Sequence, residues 1–114
     1  MALPDLVRRL VEVRLSKYCL ERIPPHIQSE IRLIFTFRGN SVTLIEERPF
    51  YLDRSQWTQS PVAQFRYDPE SQKWNLRCRD RNGRWHLYSR LAPNKNFEAL
   101  LQEVNTDPTG IFWG

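Results

Sequence analysis

A chain of 114 residues with 40% hydrophobic residues and four Trp, four Tyr and six Phe is long and apolar enough to fold as one globular domain, 1–114. The formal charge of +4 permits an anionic partner without requiring one. Cys19 and Cys78 have neither metal nor redox spacing, and no apolar run is long enough to cross a bilayer. These features favour a reduced, cytoplasmic domain without membrane contact over a disordered, secreted or membrane-spanning chain.

The N-terminal segment from Pro4 to about Arg22 has the pattern of an amphipathic helix. Pro4 suits the first turn, where its missing N–H is not needed, and Asp5 lies at the positive end of the helix dipole. Apolar residues at helical spacing predict the side that packs on a sheet. They are Leu3, Leu6, Val7, Leu10, Val13 and Tyr18. The Pro24-Pro25 pair then ends the helix.

Residues 31–47 predict a two-stranded β-hairpin. Apolar and polar residues alternate over 31–37, and Gly39-Asn40 fits a two-residue turn in which Gly takes the positive φ. The resulting register places Arg32 opposite Glu47 as a cross-strand ion pair.

The segment 49–61 is predicted to be irregular and is rich in aromatic residues. A loop of this length in a small domain is either functional or folds over the edge of the core, and both interpretations stay open. Its candidate binding residues are Tyr51 and Trp57.

Residues 62–91 predict a three-stranded antiparallel meander, in which Asn82-Gly83 is a strong two-residue hairpin signal. That turn places Asp80 opposite Trp85 and Arg79 opposite His86. Side chains alternate across a strand, so one face of the meander is predicted to join the core. This core face is Trp74, Leu76, Cys78, Trp85, Leu87 and Leu91.

The opposite face of the meander is rich in arginine and forms the candidate ligand-binding site. Its residues are Arg66, Arg77, Arg79, Arg81, Arg84, His86, Tyr88 and Arg90. The guanidinium group of arginine can form paired hydrogen bonds with phosphate, and Tyr88 offers a ring on which a base can stack. Single-stranded nucleic acid is therefore one candidate ligand. The modest net charge and the single aromatic residue favour a plain solvated face. Arg and Tyr are also typical anchors for a protein partner or a homodimer.

A second helix is predicted from Phe97 to about Val104, with Asn94 or Asn96 at its start. The whole pattern indicates an α+β fold: a five-stranded antiparallel sheet, made of the two-stranded hairpin and the three-stranded meander, packed by an N-terminal and a C-terminal helix. The apolar tail is expected to dock on the domain. Its residues are Ile111, Phe112 and Trp113.

Four motifs carry a resemblance to a known family. They are an E-x-R-P segment at 46–49, an A-x-F-R-Y strand at 63–67, the strands around Trp74 and Trp85, and an aspartate-proline tail at 107–114. Together they resemble a family of small bacterial proteins classed as a domain of unknown function. The resemblance covers nearly the whole chain and implies a shared fold and a bacterial cytoplasmic setting, without a catalytic residue or a cofactor.

The residues themselves indicate no reaction. Motifs for nucleophilic catalysis and phosphate-binding glycine loops are absent from the sequence. Cys19, His26, Cys78 and His86 have no ligand spacing, so neither a metal nor a cofactor is predicted. The chain is therefore interpreted as a non-enzymatic binding or interaction domain, acting through a protein partner or self-association. Single-stranded nucleic-acid binding is the alternative, and a metal-dependent nuclease is a weaker one.

Overall fold

Five antiparallel strands form one sheet in chain order, and two helices pack on one of its faces. The computed structural model describes residues 3–113. Its helices are α1 (Asp5–Arg22) and α2 (Phe97–Thr106), with a short 3-10 helix at Pro25–Ile27. Its strands are β1 (Arg32–Arg38), β2 (Ser41–Phe50), β3 (Asp53–Asp68), β4 (Lys73–Arg79) and β5 (Trp85–Leu87). The predicted α+β fold with its five-stranded antiparallel sheet is confirmed.

The first hairpin has the predicted register. Arg38 pairs with Ser41 across the turn, where Gly39 adopts a φ of +58° that residues with a Cβ rarely adopt. At the other end Arg32 pairs with Glu47, and their side chains form the expected ion pair, with 3.7 Å from Nε to Oε1. The alternation of apolar and polar residues together with the Gly39-Asn40 turn predicted this register correctly.

The segment 49–61 is not irregular, so that prediction is wrong. Strands β2 and β3 continue as a long hairpin until Phe50 pairs with Asp53, and only Tyr51 and Leu52 form the tip. We call residues 46–60 of this hairpin the arm. Most of its side chains are exposed or half-buried, so neither face needs a regular apolar pattern. The period-2 signal that identifies a strand is therefore missing there.

The hairpin between β4 and β5 has a three-residue turn instead of the predicted two-residue turn. The Asp80 N–H donates to the Arg84 carbonyl at 2.9 Å, so these two residues face each other. The Asp80 carboxylate accepts bonds from the backbone N–H groups of Asn82 at 2.8 Å and Arg84 at 3.0 Å. Gly83 has a φ of +79°, as expected for the left-handed residue that closes such a loop.

This turn shifts β5 by one residue against β4. Arg79 now pairs with Trp85, and Trp85 and Leu87 leave the core face, so the prediction that both are buried is wrong. Tyr88 enters the core instead, packs on the Phe112 ring at 5.1 Å and donates its hydroxyl to Glu103 at 2.7 Å.

The other expected core residues of the meander keep their places. Trp74, Leu76 and Cys78 are buried, and Leu91 is half-buried against the core. Their burial does not depend on the turn, because β4 is paired with β3 in a register of its own.

Helix α1 is rotated relative to its predicted orientation. It buries Val11, Leu15 and Tyr18 against the sheet, whereas Leu6, Leu10 and Val13 face solvent. The sequence contains two apolar stripes on this helix, and side-chain contacts with α2 decide between them.

Those contacts are polar. The Arg14 guanidinium grips the Glu98 carboxylate, with 2.6 Å from Nε to Oε2 and 2.8 Å from Nη2 to Oε1. One turn further along, Tyr18 donates its hydroxyl to the Asn105 side-chain oxygen at 3.1 Å. Both contacts require the Val11 and Leu15 side of α1 to face the sheet, so they stabilise the observed rotation.

The tail docks as expected at two of its three apolar residues. Phe112 is buried, and the Trp113 indole N–H donates to the Val104 carbonyl at 2.9 Å. The Asp107 carboxylate holds the tail by accepting the backbone N–H groups of Phe112 and Trp113. Ile111 remains exposed, so the prediction was wrong for this residue.

The two tryptophans of the meander test the corrected register. Trp74→Ala removes a ring buried against Tyr67 and Phe97 and is expected to lower the free energy of unfolding by about 3–5 kcal/mol. Trp85→Ala, outside the core, is expected to cost less than about 1 kcal/mol. Urea denaturation of both variants measures the two losses of stability. Equal losses would indicate that Trp85 is buried and that the turn has two residues.

Acid unfolding tests the clamp between the helices. The Arg14 hydrogen bonds lower the pKa of Glu98 from its usual 4.5 to about 2. The stabilisation is therefore complete above about pH 4.5 and is lost as the pH falls towards 2. Glu98→Gln is expected to lower the melting temperature at neutral pH, and the difference from wild type should shrink between these limits.

Glu12→Gln, on the exposed side of α1, is the matched control and should leave the melting temperature close to that of the wild type throughout. A Glu98→Gln difference that stays constant down to pH 2 would show that the charge of Glu98 contributes nothing.

Candidate functional site

The face of the sheet opposite the helices, here called the outer face, carries the predicted arginines of β3 and β4. Backbone pairing places Arg66 beside Asn75 and Arg77 beside Gln64, so the two arginines lie diagonally on neighbouring strands. Arg79 follows on the same face of β4, because side chains two residues apart share a face. We call Arg66, Arg77 and Arg79 the arginine cluster.

The arginine cluster has no carboxylate partner in the part of the chain that the structure describes. No ion pair within residues 3–113 includes any of its three guanidinium groups. Arg66 donates to the Gln64 side-chain oxygen at 3.3 Å, and Arg77 donates to that of Asn75 at 3.2 Å. Partial burial, and after it the nearby charge of Arg66, lowers the pKa of Arg77. The cluster is therefore a local excess of positive charge that a neighbouring anion would relieve.

Arg79 lies across the hairpin turn. Its Nε donates to the Gly83 carbonyl at 3.4 Å, and its guanidinium carbon lies 5.8 Å from the centre of the half-buried Trp85 ring. A Cβ at Gly83 would come within 2.6 Å of Arg79 Nη2. Glycine is favoured here by its positive φ, whereas the close atom is the end of the flexible Arg79 side chain, which can move aside.

Three of the eight predicted ligand-binding residues lie on the outer face, and two more are exposed at the turn that follows β4. The three form the arginine cluster, and the two in the turn are Arg81 and Arg84. Neither of these two arginines takes part in an ion pair within the described residues. Ligand binding by these five arginines stays a prediction.

The other three predicted residues point to the opposite side of the sheet, because β5 is shifted by one residue. His86 contacts the Asp80 carboxylate, Tyr88 is buried, and Arg90 forms an ion pair with Glu103 at 3.4 Å. Their placement on the arginine face was wrong, and each is already paired within the domain.

Two residues that the sequence interpretation missed join the outer face. Trp85 replaces Tyr88 as its aromatic residue, and Arg38 lies in the row that Ser41 and Arg66 continue across the sheet. The signal for Trp85 is present in the sequence, because an Asp two residues before Asn-Gly is well placed to cap a longer turn. Arg38 belongs to a strand whose register was predicted correctly, so its face follows from the alternation.

The two aromatic candidates from the segment 49–61 lie on the arm, away from the arginine cluster. Tyr51 is exposed at the tip of the hairpin, where its ring packs against that of Phe50 at 5.2 Å. The Trp57 ring is covered by the Arg32 guanidinium, whose carbon lies 3.4 Å from the ring centre. Neither belongs to one site with the arginine cluster.

A cleft of about 570 Å³ lies between the two helices, the tail and the arm. Arg14, one of its lining residues, uses Nε and Nη2 on Glu98, whereas its buried Nη1 has no hydrogen-bond partner within the described residues. Arg48 bonds Glu46 at 2.8 Å. Arg22 donates to the Asn105 side-chain oxygen at 3.3 Å, and its guanidinium carbon lies 4.0 Å from the centre of the Trp113 ring. The Arg22 contacts join α1, α2 and the tail, whereas the bond between Arg48 and Glu46 lies within the arm.

Two further features of the described residues concern metals and membranes. Within residues 3–113, no three His, Cys, Asp or Glu side chains converge where a metal ion could be held. Neither helix in this part of the chain has the length and hydropathy that crossing a bilayer requires.

Comparison with known proteins identifies the family. A family model described as "Domain of unknown function (DUF3024)" matches residues 3–114. The chain belongs to this family. No curated protein and no solved structure matches it. The DUF3024 match confirms the expected resemblance to a small domain-of-unknown-function family, and it spans both helices and the whole sheet. The arginine cluster and Trp85 therefore lie within the DUF3024 domain.

The turn that positions Trp85 has a direct test. Gly83→Ala forces a φ of +79° on a residue with a Cβ and is expected to lower the free energy of unfolding by about 1–2 kcal/mol. Asn82→Ala changes an exposed side chain in the same turn and should stay within about 0.5 kcal/mol of wild type. Urea denaturation measures both variants, and equal stability of the two would argue against this turn.

Proposed function

We propose that this protein is a cytoplasmic binding domain, not an enzyme, and that its outer face holds single-stranded nucleic acid by the phosphate backbone without reading its sequence. The observation that carries the proposal is the arginine cluster, three guanidinium groups that share one sheet face and have no carboxylate partner among residues 3–113. The free thiols of Cys19 and Cys78 suit a reducing compartment.

The chemistry of the arginine cluster favours phosphate as the ligand. Guanidinium groups bind phosphate oxygens through paired N–H bonds, and they lose less hydration than an ammonium group would. Diagonal neighbours on adjacent strands lie about 7–8 Å apart, so Arg66 and Arg77 can contact adjacent phosphates. Arg38 continues the basic surface towards β1, and Arg81 is an exposed arginine in the turn beyond β4.

Trp85 favours a single strand over a duplex. Its half-buried indole lies on the outer face beside Arg79, and an aromatic ring on a sheet surface can stack an unpaired base. Bases in a duplex are stacked on each other and offer no free face. Because every base has such a face, stacking on Trp85 carries little sequence preference.

Titration of a fluorescently labelled mixed-sequence DNA oligonucleotide tests the proposal. Wild type should bind at low salt, and the affinity should fall steeply as salt rises, because each phosphate contact releases counterions. Arg66→Gln with Arg77→Gln should weaken binding at least about tenfold and reduce the salt slope by about one for each arginine that no longer neutralises a phosphate. Trp85→Ala should reduce the preference for single strands over duplex.

Arg9→Gln with Lys95→Gln is the matched control. It removes the same charge from exposed residues outside the outer face, so a local phosphate site should be weakened far less by it. Absence of wild-type binding at low salt would refute the proposal. If both double variants weakened binding equally, the binding would depend on the net charge of the protein and not on the arginine cluster.

A further inference from the structure

The outer face of the sheet continues from the arginine cluster onto the arm, where it carries a second tryptophan. Ser41 pairs with Arg66, and Pro49 pairs with Trp57. The irregularity between these two pairs adds one residue, Val62, to β3 and none to β2. An even number of steps along β2 separates the two pairs, so Trp57 and Arg66 lie on the same face of the sheet.

A guanidinium group is held against the Trp57 ring. The guanidinium carbon of Arg32 lies 3.4 Å from the ring centre, and its buried Nε lies 3.7 Å from Glu47 Oε1. The Arg32 side chain is nevertheless 40% exposed, so a flat group can stack on it from the solvent side. We call Arg32 and Trp57 the stacking platform. It is separate from the arginine cluster but lies on the same face.

The stacking platform differs from the arginine cluster in charge. The Glu47 side chain, 13% exposed, lies beside Arg32 and accepts a hydrogen bond from Gln59 Nε2 at 2.8 Å. Its negative charge offsets that of Arg32, whereas the arginine cluster has no such neighbour among residues 3–113. A planar surface without excess charge, next to a carboxylate, suits an uncharged base and not a phosphate.

We propose that the stacking platform holds an unpaired base of the same nucleic-acid strand whose phosphates contact the arginine cluster. The inference rests on the proposed function and extends its site along the outer face. Seven residues of β3 separate Trp57 from Gln64, the partner of Arg77, which corresponds to roughly 20–24 Å. A single strand with stacked bases advances about 3.4 Å per nucleotide, so about six or seven nucleotides connect the two places.

The two contacts respond differently to salt. A phosphate contact releases counterions, so its loss reduces the dependence of the affinity on salt. Stacking of a base involves no phosphate, so loss of the stacking platform lowers the affinity by a similar factor at every salt concentration. The salt slope therefore separates the platform from a further phosphate site.

Titration of labelled mixed-sequence oligonucleotides of 4 and 12 nucleotides tests the stacking platform. Trp57→Ala and Arg32→Lys should each weaken binding of the 12-mer at least about fivefold, the loss of one stacked base, and keep the wild-type salt slope. Both should bind the 4-mer within about twofold of wild type, because a stacked 4-mer is too short to span the two places. Arg32→Lys keeps the positive charge beside Glu47 and removes only the planar group.

Tyr51→Ala is the matched control, because it removes an exposed aromatic ring from the tip of the same arm and should leave binding of both oligonucleotides unchanged. Wild-type affinity of either platform variant for the 12-mer would overturn the stacking platform and leave the phosphate site standing. Equal weakening of the 4-mer and the 12-mer, or a reduced salt slope, would also overturn it. A wild type that binds neither oligonucleotide at low salt would refute the proposed function and the platform together.

Discussion

The Asp80 carboxylate accepts backbone hydrogen bonds from Asn82 and Arg84, and this cap determines where β5 begins. The side chains of a strand alternate, so a change of one residue in the turn exchanges its two faces completely. The cap therefore decides that Tyr88 enters the core and that Trp85 stands beside the arginine cluster. Contacts of the last strand with the tail and with α2 depend on the same choice, through Tyr88 and its partners Phe112 and Glu103.

The sequence predicted those features of the fold that depend on neighbouring residues, such as turns, strand registers and helix caps. The register of the first hairpin followed from alternation and from Gly39, and the start of α2 followed from Asn96, whose side chain accepts the Glu98 N–H at 3.0 Å. The arm was missed because it extends where exposed side chains on both faces remove the apolar alternation. The rotation of α1 was missed because it is decided by Arg14 and Glu98, which are 84 residues apart.

The residues of the candidate site also fall into two groups, those that strand alternation places and those whose placement depends on the turn. Arg66, Arg77 and Arg79 lie on strands whose faces follow from alternation alone, so their common location was predictable. The placement of His86 and Tyr88 required the turn type, and the preference for Asn82-Gly83 as a two-residue turn outweighed the signal from Asp80. The Asp80 side chain, by capping the turn, thus replaces Tyr88 with Trp85 on the outer face and leaves the arginine cluster unchanged.

The clamp between Arg14 and Glu98 also has a consequence for the order in which the chain folds during synthesis. Each hairpin of the sheet joins neighbouring segments, so the strands can pair one after another as they leave the ribosome. Within the domain helix α1 emerges before the sheet, yet the partner that selects its buried side is made 84 residues later. Until α2 arrives, both apolar stripes of α1 compete for the same sheet, and the nascent domain carries an amphipathic helix whose buried side is not yet selected.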